Sequence, residues 1–109
     1  MTDEEFPMPE HVGLPEAPSD LSEDVIDRHR AIVSLMEELE AIDWYDQRVE
    51  ATKDDSPRAV LVHNRDEEKE HAAMLLEWLR RRDEVLDKEL RTYLFTEGPV
   101  IDIEGDATS

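Results

Sequence analysis

Stepped at intervals of three and four, the apolar residues in the middle of the chain sort onto helical faces. Val25, Ile32, Leu35, Met36, Leu39, Ile42 and Val49 share one side of a helix expected from about Ser22 to Ala51. Ser22 is its expected N-cap, with Glu23 and Asp24 in the first turn where the helix dipole favours acids. A second apolar patch, Ile26, Val33 and Trp44, lies on another side of the same helix. One face can pack within the chain, which leaves the other for a partner; an ordinary half-buried aromatic is the competing account of Trp44. Thr52 to Pro57 reads as a turn, with Ser56 as N-cap and Pro57 at the first helical position. The second helix is expected to run to about Arg82. A third, from Glu84 to about Phe95, is capped by Asp83 and stops before Gly98-Pro99; one long bent helix is the alternative. Residues 1–21, with Pro7, Pro9, Pro15 and Pro18 among many acids, read as a disordered arm. Residues 98–109 read as a flexible tail. The expectation is an all-α chain whose helical domain spans 22–97, an antiparallel helical hairpin followed by a short C-terminal helix.

Size and charge narrow the possibilities. The chain has 109 residues, hence one domain. With both ends set aside, fewer than about 80 residues remain for a core, and association with other copies is a usual remedy. Thirty acidic side chains against 12 Lys and Arg give a net charge of −18. Nucleic acid and anionic membrane are poor partners for that surface, and cations are good ones. The absence of Cys excludes disulfides, thiolate metal sites and Cys nucleophiles. No apolar run approaches the roughly 18 residues of a membrane helix, and the acidic N-terminus has no signal-peptide pattern. A cytoplasmic protein is expected.

The second helix carries an anomaly. Its stripe reads Leu61, Asn64, Glu68, His71, Leu75, Trp78, apolar at both ends and polar in the middle. Glu68 and His71 lie three apart, so they share a helix face. A buried Glu needs a partner, and a metal ion supplies one. A frayed helix whose stripe meets water at that point is the bland alternative. Glu38, at the edge of the first helix's apolar face, lies about 16 residues before the middle of the turn; Glu68 and His71 lie about 13 and 16 after it. At about 1.5 Å per residue all three stand roughly 20–25 Å from the turn. A hairpin therefore sets Glu38 opposite Glu68 and His71. Ferritin-like di-iron bundles take one Glu from each of two helices and a Glu-x-x-His from each of the other two. This chain offers half of that, and a two-fold dimer completes a four-helix bundle. Two Glu38 and two Glu68 then balance two divalent cations. Carboxylate with imidazole suits Fe, Mn or Zn better than copper or calcium. His63 with Glu67 and Glu70 forms a lesser cluster, read as a solvated charged face, and His11 and His29 read as surface residues.

Several runs carry a family likeness: Arg28-His29-Arg30-Ala31-Ile32-Val33-Ser34, Met36-Glu37-Glu38-Leu39-Glu40-Ala41, Asp43-Trp44-Tyr45-Asp46-Gln47-Arg48-Val49, His63 through Met74, and Tyr93-Leu94-Phe95-Thr96-Glu97-Gly98-Pro99. Over roughly residues 25–100 the chain resembles the encapsulated ferritins. The resemblance implies a ferroxidase site between two helical chains, dimers assembled into a decameric ring without a storage cavity, and packaging as cargo inside an encapsulin shell. It implies Glu38, Glu68 and His71 as ligands of iron, two ions per dimer interface, with Tyr45 beside them. Glu37, Glu40 and Trp44 would form an outer acidic site on the path inward, where calcium or zinc could also bind. The family's cargo proteins usually end in a short, partly apolar targeting peptide. Gly105-Asp106-Ala107-Thr108-Ser109 has no apolar anchor, which leaves shell binding to another segment or to residues beyond Ser109.

Two other functions compete with a ferroxidase. One is a non-catalytic metal-binding module that holds a helical dimer together. The other is an acidic coiled-coil adaptor without metal, against which the matched depth of Glu38, Glu68 and His71 argues. Only the resemblance separates enzyme from module.

Overall fold

The computed structural model describes residues 13–108, and the described residues are helical with no strand. The expected disorder of residues 1–12, and His11 with it, lies outside the described residues. Residues 13–21 hold one 3₁₀ turn, Pro18–Asp20. The chain divides into two compact units, one up to Leu76 and one from Glu77 onward.

The first unit is a helical hairpin. Helix α1, Glu23–Ala51, begins where the sequence indicates: the Ser22 hydroxyl accepts from the Val25 N–H at 3.1 Å. It ends at Thr52, whose N–H and hydroxyl both donate to the Arg48 carbonyl, at 2.9 and 2.6 Å. Helix α2 spans Asp55–Arg80, so its start falls two residues before Pro57. The capping acceptor is Asp54 rather than Ser56, because the Asp54 carboxylate takes the Ser56 N–H at 3.0 Å. Pro57 then sits in the first turn, where its missing donor costs nothing. Three contacts fix the antiparallel course. Arg58 Nε donates to the Val49 carbonyl at 3.2 Å, Arg65 Nη1 to Asp46 Oδ1 at 3.2 Å, and His71 Nδ1 lies 3.7 Å from Glu38 Oε2. Each step along α2 meets a step back along α1.

The seam of the hairpin is thin. Among the described residues of this unit, Ala31, Val49 and Ala72 are buried. Of the α1 face expected to pack, Val49 is buried, whereas Val25, Ile32, Met36 and Leu39 stay exposed. Two helices cover only a narrow strip of each other, so a stripe as wide as this one cannot be closed within one hairpin.

In the second unit the three Arg at the end of α2 lead into α3, Glu84–Tyr93. Asp83 caps it by accepting from the Leu86 N–H at 3.0 Å, so two helices form in place of one long bent one. Ion pairs brace the corner. Glu77 accepts from Arg80 Nε at 2.6 Å, Arg80 Nη2 at 2.8 Å and Arg81 Nε at 2.6 Å. Asp87 accepts from Arg80 and, at 2.9 Å, from Arg91. The Arg82 guanidinium stacks 3.8 Å above the Trp78 ring. Helix α3 stops two residues earlier than expected, and Phe95 takes a positive φ of 61°, an uncommon conformation for an aromatic residue. Residues 98–109, expected as a flexible tail, carry a further helix, α4, Val100–Thr108. The Pro99 carbonyl starts it by accepting from the Asp102 and Ile103 N–H groups, and α4 packs on α3.

The hydrogen bonds from Arg80 and Arg81 lower the Glu77 pKa from 4.5 to about 2. A depressed carboxylate contributes stability above its unfolded pKa and loses it as pH falls toward the folded value. The corner should therefore hold at neutral pH and loosen between pH 4.5 and about 2. Carboxyl chemical shifts should place the Glu77 midpoint about two units below that of an exposed Glu. A midpoint near the ordinary value would show that Arg80 and Arg81 do not hold it.

Candidate metal centre

The hairpin gathers Glu38 from α1 with Glu68 and His71 from α2. Each offers one ligand atom, and the three atoms all lie within 4.8 Å of one another. His71 Nδ1 is 3.7 Å from Glu38 Oε2 and 3.7 Å from Glu68 Oε2. Both separations are too long for hydrogen bonds. The two carboxylate side chains are 23% and 26% exposed, and the imidazole is 45% exposed. Glu38 Oε2 is itself buried and, among the described residues, has no hydrogen-bond donor. A buried carboxylate oxygen left in that state carries its full desolvation cost.

These features fit a metal cation. An ion held at about 2.0–2.2 Å from oxygen and nitrogen donors bridges ligand atoms up to about 4 Å apart. The three atoms need close by less than about an ångström to meet that distance. Two anionic oxygens with one imidazole nitrogen suit iron, manganese or zinc. A cation would also neutralise the Glu38 oxygen, which among the described residues accepts no hydrogen bond.

The remaining expected residues all stand on α1. Tyr45 lies two turns beyond Glu38, half-buried, with the Arg48 guanidinium 5.8 Å from its ring centroid. Glu37 is half-buried, and Glu40 and Trp44 are exposed. Among the described residues, Glu37 and Glu40 do not meet a third ligating group within one chain. His63 Nε2 pairs with Glu67 Oε1 at 2.9 Å on an exposed flank, without gathering Glu70 into a group of three. His29, expected at the surface, is half-buried. Ala31 and Ala72, the small buried residues of the hairpin, give little apolar signal in the sequence because their side chains are a single methyl group. Nor does periodicity signal that Arg58 and Arg65 cross from one helix to the other.

A helical fold with carboxylates and an imidazole gathered between antiparallel helices is the ferritin-like arrangement. The family model described as EncFtn-like matches residues 13–97, and the chain belongs to that family. An encapsulated ferritin-like protein of Rhodospirillum rubrum is 65% identical over 89 residues, which are 82% of this chain and 64% of that protein. The encapsulin nanocompartment cargo protein EncC of Myxococcus xanthus is 39% identical over 51 residues, 47% of this chain and 39% of that one. The chain thus spans less than two thirds of the length of both relatives. The crystal structure of protein ne0167 from Nitrosomonas europaea superposes with a TM-score of 0.76 at 62% identity, covering 80% of this chain and 96% of that one.

The orphaned Glu38 oxygen yields an expectation for the metal-free protein. Glu38→Gln removes a buried charge whose neighbour His71 Nδ1, at 3.7 Å, lies beyond hydrogen-bond reach, and supplies an amide able to donate. With chelator present, the variant should melt higher than the parent by roughly 4 °C, about 1 kcal/mol. Scanning calorimetry with and without added divalent cation reads this. A lower melting temperature for the chelated variant would show that the carboxylate is already satisfied.

Proposed function

We propose that the chain is a ferroxidase, oxidising Fe(II) to Fe(III) with oxygen at a di-iron site shared by two copies. Iron is the substrate. The observation that carries this reading is the Glu38, Glu68 and His71 cluster with its buried oxygen that lacks a donor. One chain supplies too few ligands to enclose two ions, and the exposed apolar residues of α1 offer a surface for a second copy. A two-fold dimer doubles every ligand, and two divalent ions balance its four carboxylates. Carboxylates favour Fe(III) over Fe(II), which makes the oxidation easier. Tyr45 would flank the site.

Outside it, Glu37 and Glu40 beside Trp44 would form an outer acidic site that collects incoming cations, calcium or zinc included. The net charge of −18 draws such cations toward the protein. The names of the relatives, encapsulated ferritin-like protein and encapsulin cargo protein, support a place inside an encapsulin compartment; the proposal adds iron storage there, in the cytoplasm, with the dimers arranged in a decameric ring. Among the described residues no helix is long and apolar enough to cross a membrane.

Adding Fe(II) in air and following ferric absorbance tests the enzyme against a non-catalytic metal-binding module. The rate should stand well above the protein-free rate. Glu38→Ala, Glu68→Ala and His71→Ala should each lower it by more than about 100-fold, beyond the loss typical when an outer-shell partner is removed. The double variant Glu37→Ala, Glu40→Ala should slow uptake while retaining metal at the centre. A protein-free rate for the parent chain would leave the module; an unaffected ligand variant would remove that residue from the site.

Assembly should depend on the metal. Without it, a two-fold contact brings four carboxylates into one poorly solvated space, and some must take up protons at about 1.4 kcal/mol per pKa unit. A ligand bound only by the dimer shifts the equilibrium toward it. The chelated protein should run smaller by size exclusion, and Fe(II) should move it to dimer and then to the ring. The same mass under both conditions would contradict a metal-joined dimer.

A further inference from the structure

The seam between α1 and α2 places few constraints on how the two helices slide past each other. Its buried residues, Ala31, Val49 and Ala72, are small, and the large apolar side chains of the two helices, Leu35, Ile42, Leu61 and Leu75 among them, are only half-buried. Interlocking large side chains normally sets the register of packed helices. Here the large side chains interlock incompletely, which leaves part of that role to polar contacts. Arg65 stands one turn before Glu68 on α2. Its side chain is 22% exposed, and its Nη1 donates across the seam to Asp46 Oδ1 at 3.2 Å. Its Nε meets Asp66 Oδ1 at 3.3 Å, which holds the guanidinium from its own helix. Arg58, two turns earlier, donates to the Val49 carbonyl near the end of α1 at 3.2 Å. Both contacts lie between the turn and the metal-ligating cluster.

We infer that Arg65, through its ion pair with Asp46, is the positioning residue that sets the register of the hairpin and so brings Glu38 level with Glu68 and His71. The Arg58 bond ends on a backbone carbonyl, which every residue offers, so a slipped register can reform it with a neighbour. The Arg65 bond ends on a particular side chain, and a slip of one turn, about 5.4 Å, breaks it. That slip exceeds the 4.8 Å within which the three ligand atoms now lie. The pair itself stabilises little, since Asp46 is 53% exposed. Its effect is to select one register among several of similar energy. The role in metal binding rests on the proposed metal site; the role in register does not.

The test has two arms. In the first, Co(II) absorbance titrations measure metal affinity of the full chain. Arg65→Ala and Asp46→Ala should each weaken it about threefold to fivefold, as the loss of an exposed ion pair implies. The exchange Asp46→Arg with Arg65→Asp should restore it to within about twofold. Rescue by the exchange assigns the effect to the pair and not to the loss of either side chain, and the second arm separates register from general stability. The second arm needs no metal. The chain has no Cys, so spin labels at Arg30→Cys and Met74→Cys, both exposed positions on the hairpin, report one distance when diluted with unlabelled protein. Arg65→Ala and Asp46→Ala should broaden that distance or add a population displaced by about one turn, 5.4 Å, and the exchange should restore the single distance. An unchanged distance in the single variants overturns the inference, as does an exchange no better than either single variant. If the parent chain fails to bind Co(II), the metal site is wrong, and the distances alone decide the register.

Discussion

Three ionisable side chains stand together between two helices with too little to neutralise them. Glu38 comes from α1, Glu68 and His71 come from α2, and the Glu38 oxygen that faces inward is buried without a donor. Burial of an unpaired carboxylate opposes folding, so its presence at this depth asks for a compensating cation. The features that surround the cluster serve to hold it there. Ser22 and Asp54 start the two helices, Thr52 ends the first, and Arg58 and Arg65 tie one to the other.

The same cluster gives meaning to the exposed apolar surface. A two-helix hairpin whose fully covered residues are small has little core of its own, yet Val25, Ile32, Met36 and Leu39 are exposed on α1. Apolar side chains left outside a marginal core mark a surface for association. In the proposed dimer, contact between two such surfaces brings two half-sites together, and the ions offset the repulsion that contact creates. Stability, assembly and chemistry would then share one set of carboxylates.

Much of this was legible in the residue pattern. The helical periods and the caps at Ser22 and Asp83 placed α1 and α3, because those signals are local. The pairing of Glu38 with Glu68 and His71 followed from equal distance to the turn, which works because a helix advances by a constant rise. Family membership rests on the motif runs, and the match to residues 13–97 agrees with it. What the pattern missed depends partly on competition between neighbouring residues and partly on tertiary contact. Asp54 outcompetes Ser56 as the cap. Phe95 leaves the helix through a positive φ, and residues after Pro99 form α4 against α3. Much of the α1 face that periodicity marks as core, Val25, Ile32, Met36 and Leu39, stays exposed because period reports amphipathicity and not how much partner surface exists to cover it.

Anomalous diffraction at the iron edge, from crystals exposed to Fe(II), tests the shared site most directly. The account predicts two iron peaks on a two-fold axis or symmetric about it, each within ligating distance of Glu38, Glu68 and His71 side chains, with ligands from two chains. Iron bound within a single chain, or iron found only away from these three residues, would contradict it.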